Sequence, residues 1–276
     1  MPEKKRARVA APRRARRGRT TIHRILAVDI GTSETKLALM EGRDTRQHWR
    51  LSSGRTTSDE ARLRVESLLA SSQVASDTLA GSVVCSVAPA FTLAWVDALA
   101  RVCGGPPVEV GVSTVKSMPI RYHDRTAVGP DRLANAIAAR DLYGTPAIVV
   151  DLGTATTFDC VSPQGAFMGG AIAPGVMTSA EELYRRAARI ARVELRRPSH
   201  ALGRTTEEAL QAGVVWGAAG QVDALVRRLA LEMKGTPHVI ATGGLAHVIA
   251  AECETINRVD ETLTLKGMAL IWEENR

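Results

Sequence analysis

The sequence predicts an α/β protein of two duplicated halves, each a mixed sheet with flanking helices, facing each other across a cleft. The main observation is that VDIGT at 28–32 returns as VDLGT at 150–154, with Asp29 and Asp151, and Thr35 and Thr157, each 122 residues apart. One Asp-x-Gly-Thr marks a turn, but two aligned copies between apolar runs mark a duplicated unit. The second observation is compositional: 276 residues with 45% hydrophobic and only 4% aromatic content suit a sizeable, closely packed α/β core. The expected division is a basic disordered tail over 1–24, a first half over 25–144 and a second over 145–276.

Residues 25–30 read as a buried strand, 31–35 as a turn and 36–40 as a returning strand, with a third strand at 47–51. A helix follows over 59–70, with Leu63, Val65, Leu68 and Leu69 as its apolar face. Residues 81–86 form a short buried strand, and Pro89 opens a helix whose Phe91, Leu93, Trp95, Leu99 and Val102 pack on it until the Gly104–Pro107 stop. A further strand is expected at 108–112, then a surface loop to Gly129. Pro130 suits the first position of the next helix, and Gly144 its end. The second half repeats the pattern, with strands at 147–150, 156–161 and 166–168. Ser179 with Glu182, and Thr205 with Glu208, are capping-box signatures for helices reaching about 189 and 233. Gly213, Gly217 and Gly220 suggest that the second of these packs closely on another helix. A strand at 238–241, a Gly243-Gly244 turn and two helices complete the chain.

The net charge of +7 is misleading until it is located. Residues 1–24 carry ten basic side chains against Glu3 alone, which leaves the remainder at −2. The tail, without hydrophobic periodicity, is the one place from which nucleic acid could be bound. No apolar run approaches the roughly 20 residues that span a bilayer, and the four cysteines have no C-x-x-C spacing, as expected of reduced thiols in a cytoplasmic protein.

Asp29 and Asp151 end apolar strands, where open α/β sheets place ligand contacts. The Gly and Thr that follow let main-chain N–H groups approach an anion, so the paired turns suit Mg²⁺-nucleotide binding. Asp131 and Arg132 open a helix beside a loop. Asp131 either stabilises that helix start or accepts a hydroxyl proton during phosphoryl transfer. ATGGLA at 241–246 suits close approach to a nucleoside.

Taken together and in this order, VDIGT, GPDRLANAIAA at 129–139, VDLGTATTFD at 150–159, GGAIAPG at 169–175 and ATGGLA resemble the type III pantothenate kinases of the acetate and sugar kinase, Hsp70 and actin superfamily. The resemblance runs from about residue 25 to the C-terminus and implies actin-like (ribonuclease H-like) halves. It also implies ATP-dependent phosphorylation of the pantothenate 4′-hydroxyl, the first step towards coenzyme A. By position, Asp29, Ile30, Gly31, Thr32, Ser33, Glu34, Thr35 and Lys36 line the ATP phosphates, with Thr154 also on the nucleotide. Asp131 is the proton acceptor, while Tyr122, Gly129, Pro130, Asp131, Arg132 and Thr206 meet pantothenate. Asp151 binds a monovalent cation, K⁺ or NH₄⁺, and the protein is a homodimer with its pantothenate pocket near the subunit contact. Three departures stand out: Thr32-Ser33 where the family has Asn-Thr, Pro130 where it has a small residue, and Asp124-Arg125 where Asn-Pro is common. These, with the tail, motivate the alternative of a weakly active or inactive paralogue that binds nucleotide or nucleic acid as an accessory.

Overall fold

A computed structural model describes residues 23–187 and 190–276. Strands β1 (Arg24–Ile30), β2 (Glu34–Glu41) and β3 (Asp44–Ser52) form a meander. They are followed by α1 (Ser58–Ser71), β4 (Gly81–Ser86), α2 (Pro89–Cys103) and β5 (Val108–Glu109). Helix α3 (Pro130–Tyr143) leads to a second meander of β6 (Ala147–Leu152), β7 (Ala155–Val161) and β8 (Phe167–Pro174). After it come α4 (Val176–Arg186), α5 (Thr206–Glu232), β9 (His238–Thr242), α6 (Ala246–Ala250), β10 (Arg258–Val259) and α7 (Leu263–Asn275). The sheets run β3-β2-β1-β4-β5 and β8-β7-β6-β9-β10. That is one topology used twice, as the repeated motif predicts.

Period-two alternation gives each central strand two buried faces. Leu26, Val28 and Ile30 pack outward on α1 and α2, and Ile148, Val150 and Leu152 pack outward beneath α5 and α6. Ile25, Ala27, Ala147 and Val149 turn inward to a shared core filled by α3 and α7. The order is therefore helix, sheet, helix, sheet, helix. At the centre, α3 and α7 approach so closely that a Cβ on Gly267 would collide with the Ala134 carbonyl.

Several local expectations change. β8 is longer than expected and absorbs most of GGAIAPG. α4 starts at Val176 behind Gly175, so Ser179 lies within the helix and donates its N–H to the Gly175 carbonyl at 2.9 Å. Its expected end near 189 lies partly outside the described residues. At the start of α5 the Thr205 hydroxyl does accept the Glu208 N–H at 3.2 Å, but the Glu208 carboxylate reaches the Arg204 N–H instead of closing the box. Leu63 and Leu93 point to solvent, at 60% and 81% exposure, because Ala61, Val65 and Leu69, and Trp95, Ala98, Leu99 and Val102, form the buried stripes. Apart from the helix's own neighbouring backbone, nothing among the described residues lies within 4 Å of a Cβ built on Gly213, Gly217 or Gly220. α5 buries Ala212, Val215, Ala219, Val222 and Val226 and turns those glycines outward. β5 is shorter than expected. The two-residue β10 carries too little pattern for a reading from sequence.

Candidate active site

The two Asp-x-Gly-Thr turns meet across the molecule, with the Thr32 and Thr154 hydroxyls 3.4 Å apart. They are not identical. Asp29 lies opposite Lys36 and Ile30 opposite Thr35, whereas Asp151 lies opposite Thr157 and Leu152 opposite Thr156. The second turn is thus one residue tighter: Gly31 N–H bonds to the Glu34 carbonyl at 2.9 Å, but Gly153 N–H to that of Ala155 at 3.1 Å. Thr35 and Thr157, aligned in sequence, are not structural counterparts. Thr35 is buried outward with its hydroxyl 2.9 Å from that of Ser53, beside the buried Ile30, so neither side chain faces the cleft. Ser33 and Glu34 are exposed at the turn.

Alternation sends Asp29, Lys36, Asp151 and Asp159 to the inner layer. Pro130, in the first turn where a missing N–H costs little, brings Asp131 to the same place. Gly129 precedes it because a Cβ there would lie 2.6 Å from Asp131 Oδ1. That oxygen accepts the Arg132 N–H at 2.8 Å. The carboxylates act on one another. Burial first, then Asp131 and Asp151, push Asp29 up to about 7 against the pull of Lys36. Burial also raises Asp131 and Asp151, the latter opposed by Lys36 and by a hydrogen bond from the Asn135 amide.

That amide was invisible as a site residue in the sequence. Asn135, one turn after Asp131 and fully buried, donates Nδ2 to Asp151 Oδ2 at 3.0 Å, and its Oδ1 accepts the Thr264 hydroxyl of α7 at 2.8 Å. Gly243 of ATGGLA closes on the other oxygen, since a Cβ there would lie 2.6 Å from Asp151 Oδ1; its φ of +95° also favours glycine. The Thr154 carbonyl accepts Gly175 N–H and the Thr178 hydroxyl at 3.1 and 2.7 Å.

A family model described as type III pantothenate kinase matches residues 25–228. A type III pantothenate kinase from Moorella thermoacetica is 40% identical over 252 residues, 91% of this chain and 99% of its own. Another from Thermobifida fusca is 43% identical over 258 residues, with the same coverage. The chain belongs to the type III pantothenate kinase family. More distant structures share the fold alone. An activator of the 2-hydroxyisocaproyl-CoA dehydratase from Clostridium difficile with bound ADPNP aligns with TM-score 0.59 at 14% identity, covering 91% of this chain and 96% of its own. A ROK hexokinase from Thermus thermophilus aligns with TM-score 0.51 at 13% identity, covering 92% and 100%. The two halves are the actin-like halves expected.

The remaining expected site residues divide. Tyr122 lies against the Gly169 backbone and tilts over Phe167 with ring centroids 6.2 Å apart. Arg132, 6% exposed, also lies over the Phe167 ring, its Cζ 5.6 Å from the centroid. The segment before Tyr122 is tied to β8 through the Arg121 N–H and the Pro119 carbonyl, both bonded to Phe167. Thr206 stands apart, exposed at the start of α5, with no hydrogen bond to this group. Among the described residues no three His, Cys, Asp or Glu side chains converge as direct ligands of one metal ion, and no helix is long and apolar enough to cross a membrane.

Proposed function

We propose that the cleft between the two turns transfers the γ-phosphoryl group of ATP to the 4′-hydroxyl of pantothenate, with Asp131 as proton acceptor. The observation that carries this is the placement of Asp131 between the turns. One of its oxygens is held by main-chain N–H, and Oδ2 has no hydrogen-bond partner among the described residues. Burial keeps it basic for a carboxylate, which suits a group that takes a hydroxyl proton as the oxygen attacks phosphorus.

The first turn supplies main-chain N–H groups of Thr32 and Ser33, and the Thr32 hydroxyl, to the phosphates, while Gly31 N–H holds the turn through the Glu34 carbonyl. Thr154 meets them from the second turn, and Lys36 offers positive charge beside Asp29. Thr32-Ser33 puts two hydroxyls where the family has Asn-Thr, so the cradle retains polar donors. Mg²⁺ fits these residues as an ion held mainly by phosphates and water with Asp29 nearby, because the carboxylates repel one another and do not converge as a cage. Bound there, it would neutralise phosphate charge. A monovalent cation fits Asp151, whose carboxylate is fixed by Asn135 and closely covered by Gly243. Tyr122 and residues 129–132 line the acceptor side. The glycine face of α5 and the exposed Thr206 support a homodimer in which Thr206 of the partner subunit completes the pantothenate pocket. Four free cysteines suit a cytoplasmic setting.

The test is direct. Full-length protein with ATP, Mg²⁺, K⁺ or NH₄⁺ and pantothenate is expected to yield phosphopantothenate by mass spectrometry, and no product under those conditions would overturn the reading.

A further inference from the structure

Asp159 is a buried charge of the inner layer to which the reaction above gives no task. On β7 and 0% exposed, it accepts the Arg132 Nε–H at 2.6 Å. A buried ion pair of this kind gains little over an apolar pair of similar size, and the protein carries the apolar version in its own first half. With the tighter second turn taken into account, Asp159 opposite Val149 is the counterpart of Ala38 opposite Ala27. Ala38 is equally buried. The fold therefore does not require a carboxylate at this position.

What the carboxylate does is fix Arg132. It holds the Nε edge of the guanidinium, whose Cζ lies over the Phe167 ring, 5.6 Å from its centroid. Nε is the only side-chain nitrogen of Arg132 with a hydrogen-bond partner among the described residues. Both Nη groups keep their donors, and a planar fork fixed at one edge presents them in one direction, as bidentate recognition of a carboxylate demands. We propose that Asp159 is a positioning residue for the acceptor: by anchoring Arg132 through Nε it aims the Nη groups at the substrate carboxylate, and so selects a carboxylated alcohol over a neutral one. This rests on the reading that Arg132 contacts pantothenate.

Steady-state kinetics of Asp159→Asn, Arg132→Met and the double variant Asp159→Ala/Arg132→Met test it. The acceptors are pantothenate and its uncharged analogue pantothenyl alcohol, the latter used as competitor if it is not turned over. Asp159→Asn is expected to raise KM for pantothenate by about tenfold, with kcat and KM for ATP within about twofold of wild type. The neutral alcohol should be bound as by wild type, and the double variant should be no worse than Arg132→Met. An unchanged KM for pantothenate in Asp159→Asn, or an equal loss with the neutral alcohol, overturns the proposal while the Arg132 contact stands. An unchanged KM in Arg132→Met overturns the contact itself and the proposal with it. Should Asp159→Asn not fold, the double variant decides: constants matching Arg132→Met support the proposal, and a further loss of kcat contradicts it.

Discussion

A carboxylate removed from water is unstable until a cation or donor meets it, and the inner layer gathers Asp29, Asp131, Asp151 and Asp159 around Lys36 and Arg132. Asp29 shows the consequence for stability. Its folded-state pKa is raised from 3.8 to about 7, so the protonated form is the one the fold favours. The contribution is complete below about pH 4 and is lost as pH rises through about 7. Asp29→Asn should therefore stabilise the ligand-free protein at pH 8 by on the order of 1–3 kcal/mol, with little effect near pH 4.5, while removing ATP turnover. Thermal melts at the two pH values check this, and equal shifts at both would refute it. Asp131, raised for the same reason, should place the acid limb of kcat above the pH of an ordinary carboxylate; a pH–rate profile with its limb at about 4 would contradict that. Asp29, Asp151 and Asp131 are legible in the sequence because strand ends and helix starts have local signatures. Asn135 and Asp159 are not, since their partners Thr264 and Arg132 lie 129 and 27 residues away, and nothing nearby in the chain announces such pairings.

Elements were legible where periodicity is long. The paired meanders, α3 and α5 all follow from apolar spacing and caps. The tightness of the second turn does not, because VDIGTSET and VDLGTATT align without a gap and only the strand register separates them. GGAIAPG lies beyond the strand expected at 166–168, yet Gly170 lies within β8 where a Cβ would strike the Phe158 carbonyl; close crossing, not flexibility, selects glycine there. The crossing of α3 and α7 is equally close. Gly267→Ala puts a methyl group into the Ala134 carbonyl, and should cost roughly 1–3 kcal/mol as overpacking. Because α3 carries both Asp131 and Asn135, kcat should fall as well. Denaturant melts with kinetics test this, and an unchanged midpoint would show that the crossing can relax freely.

At the scale of the molecule, α7 ends the chain yet packs on the first sheet and donates to Asn135 of α3, so the inner layer binds both sheets to one site. Such a layer could not be read from either half alone. The basic tail beyond it carries the surplus positive charge and lies almost wholly outside the described residues. Deleting residues 1–22 is expected to leave kcat and both KM values within about twofold, because every residue assigned to the site lies in or after β1; a larger loss in the same assay would assign the tail a part in turnover. The most direct test of the account is kcat for Asp131→Asn with ATP and pantothenate, measured beside its melting temperature. A fall of about 10²–10⁴-fold with the fold and nucleotide affinity preserved is the predicted result, and turnover near that of wild type would contradict it.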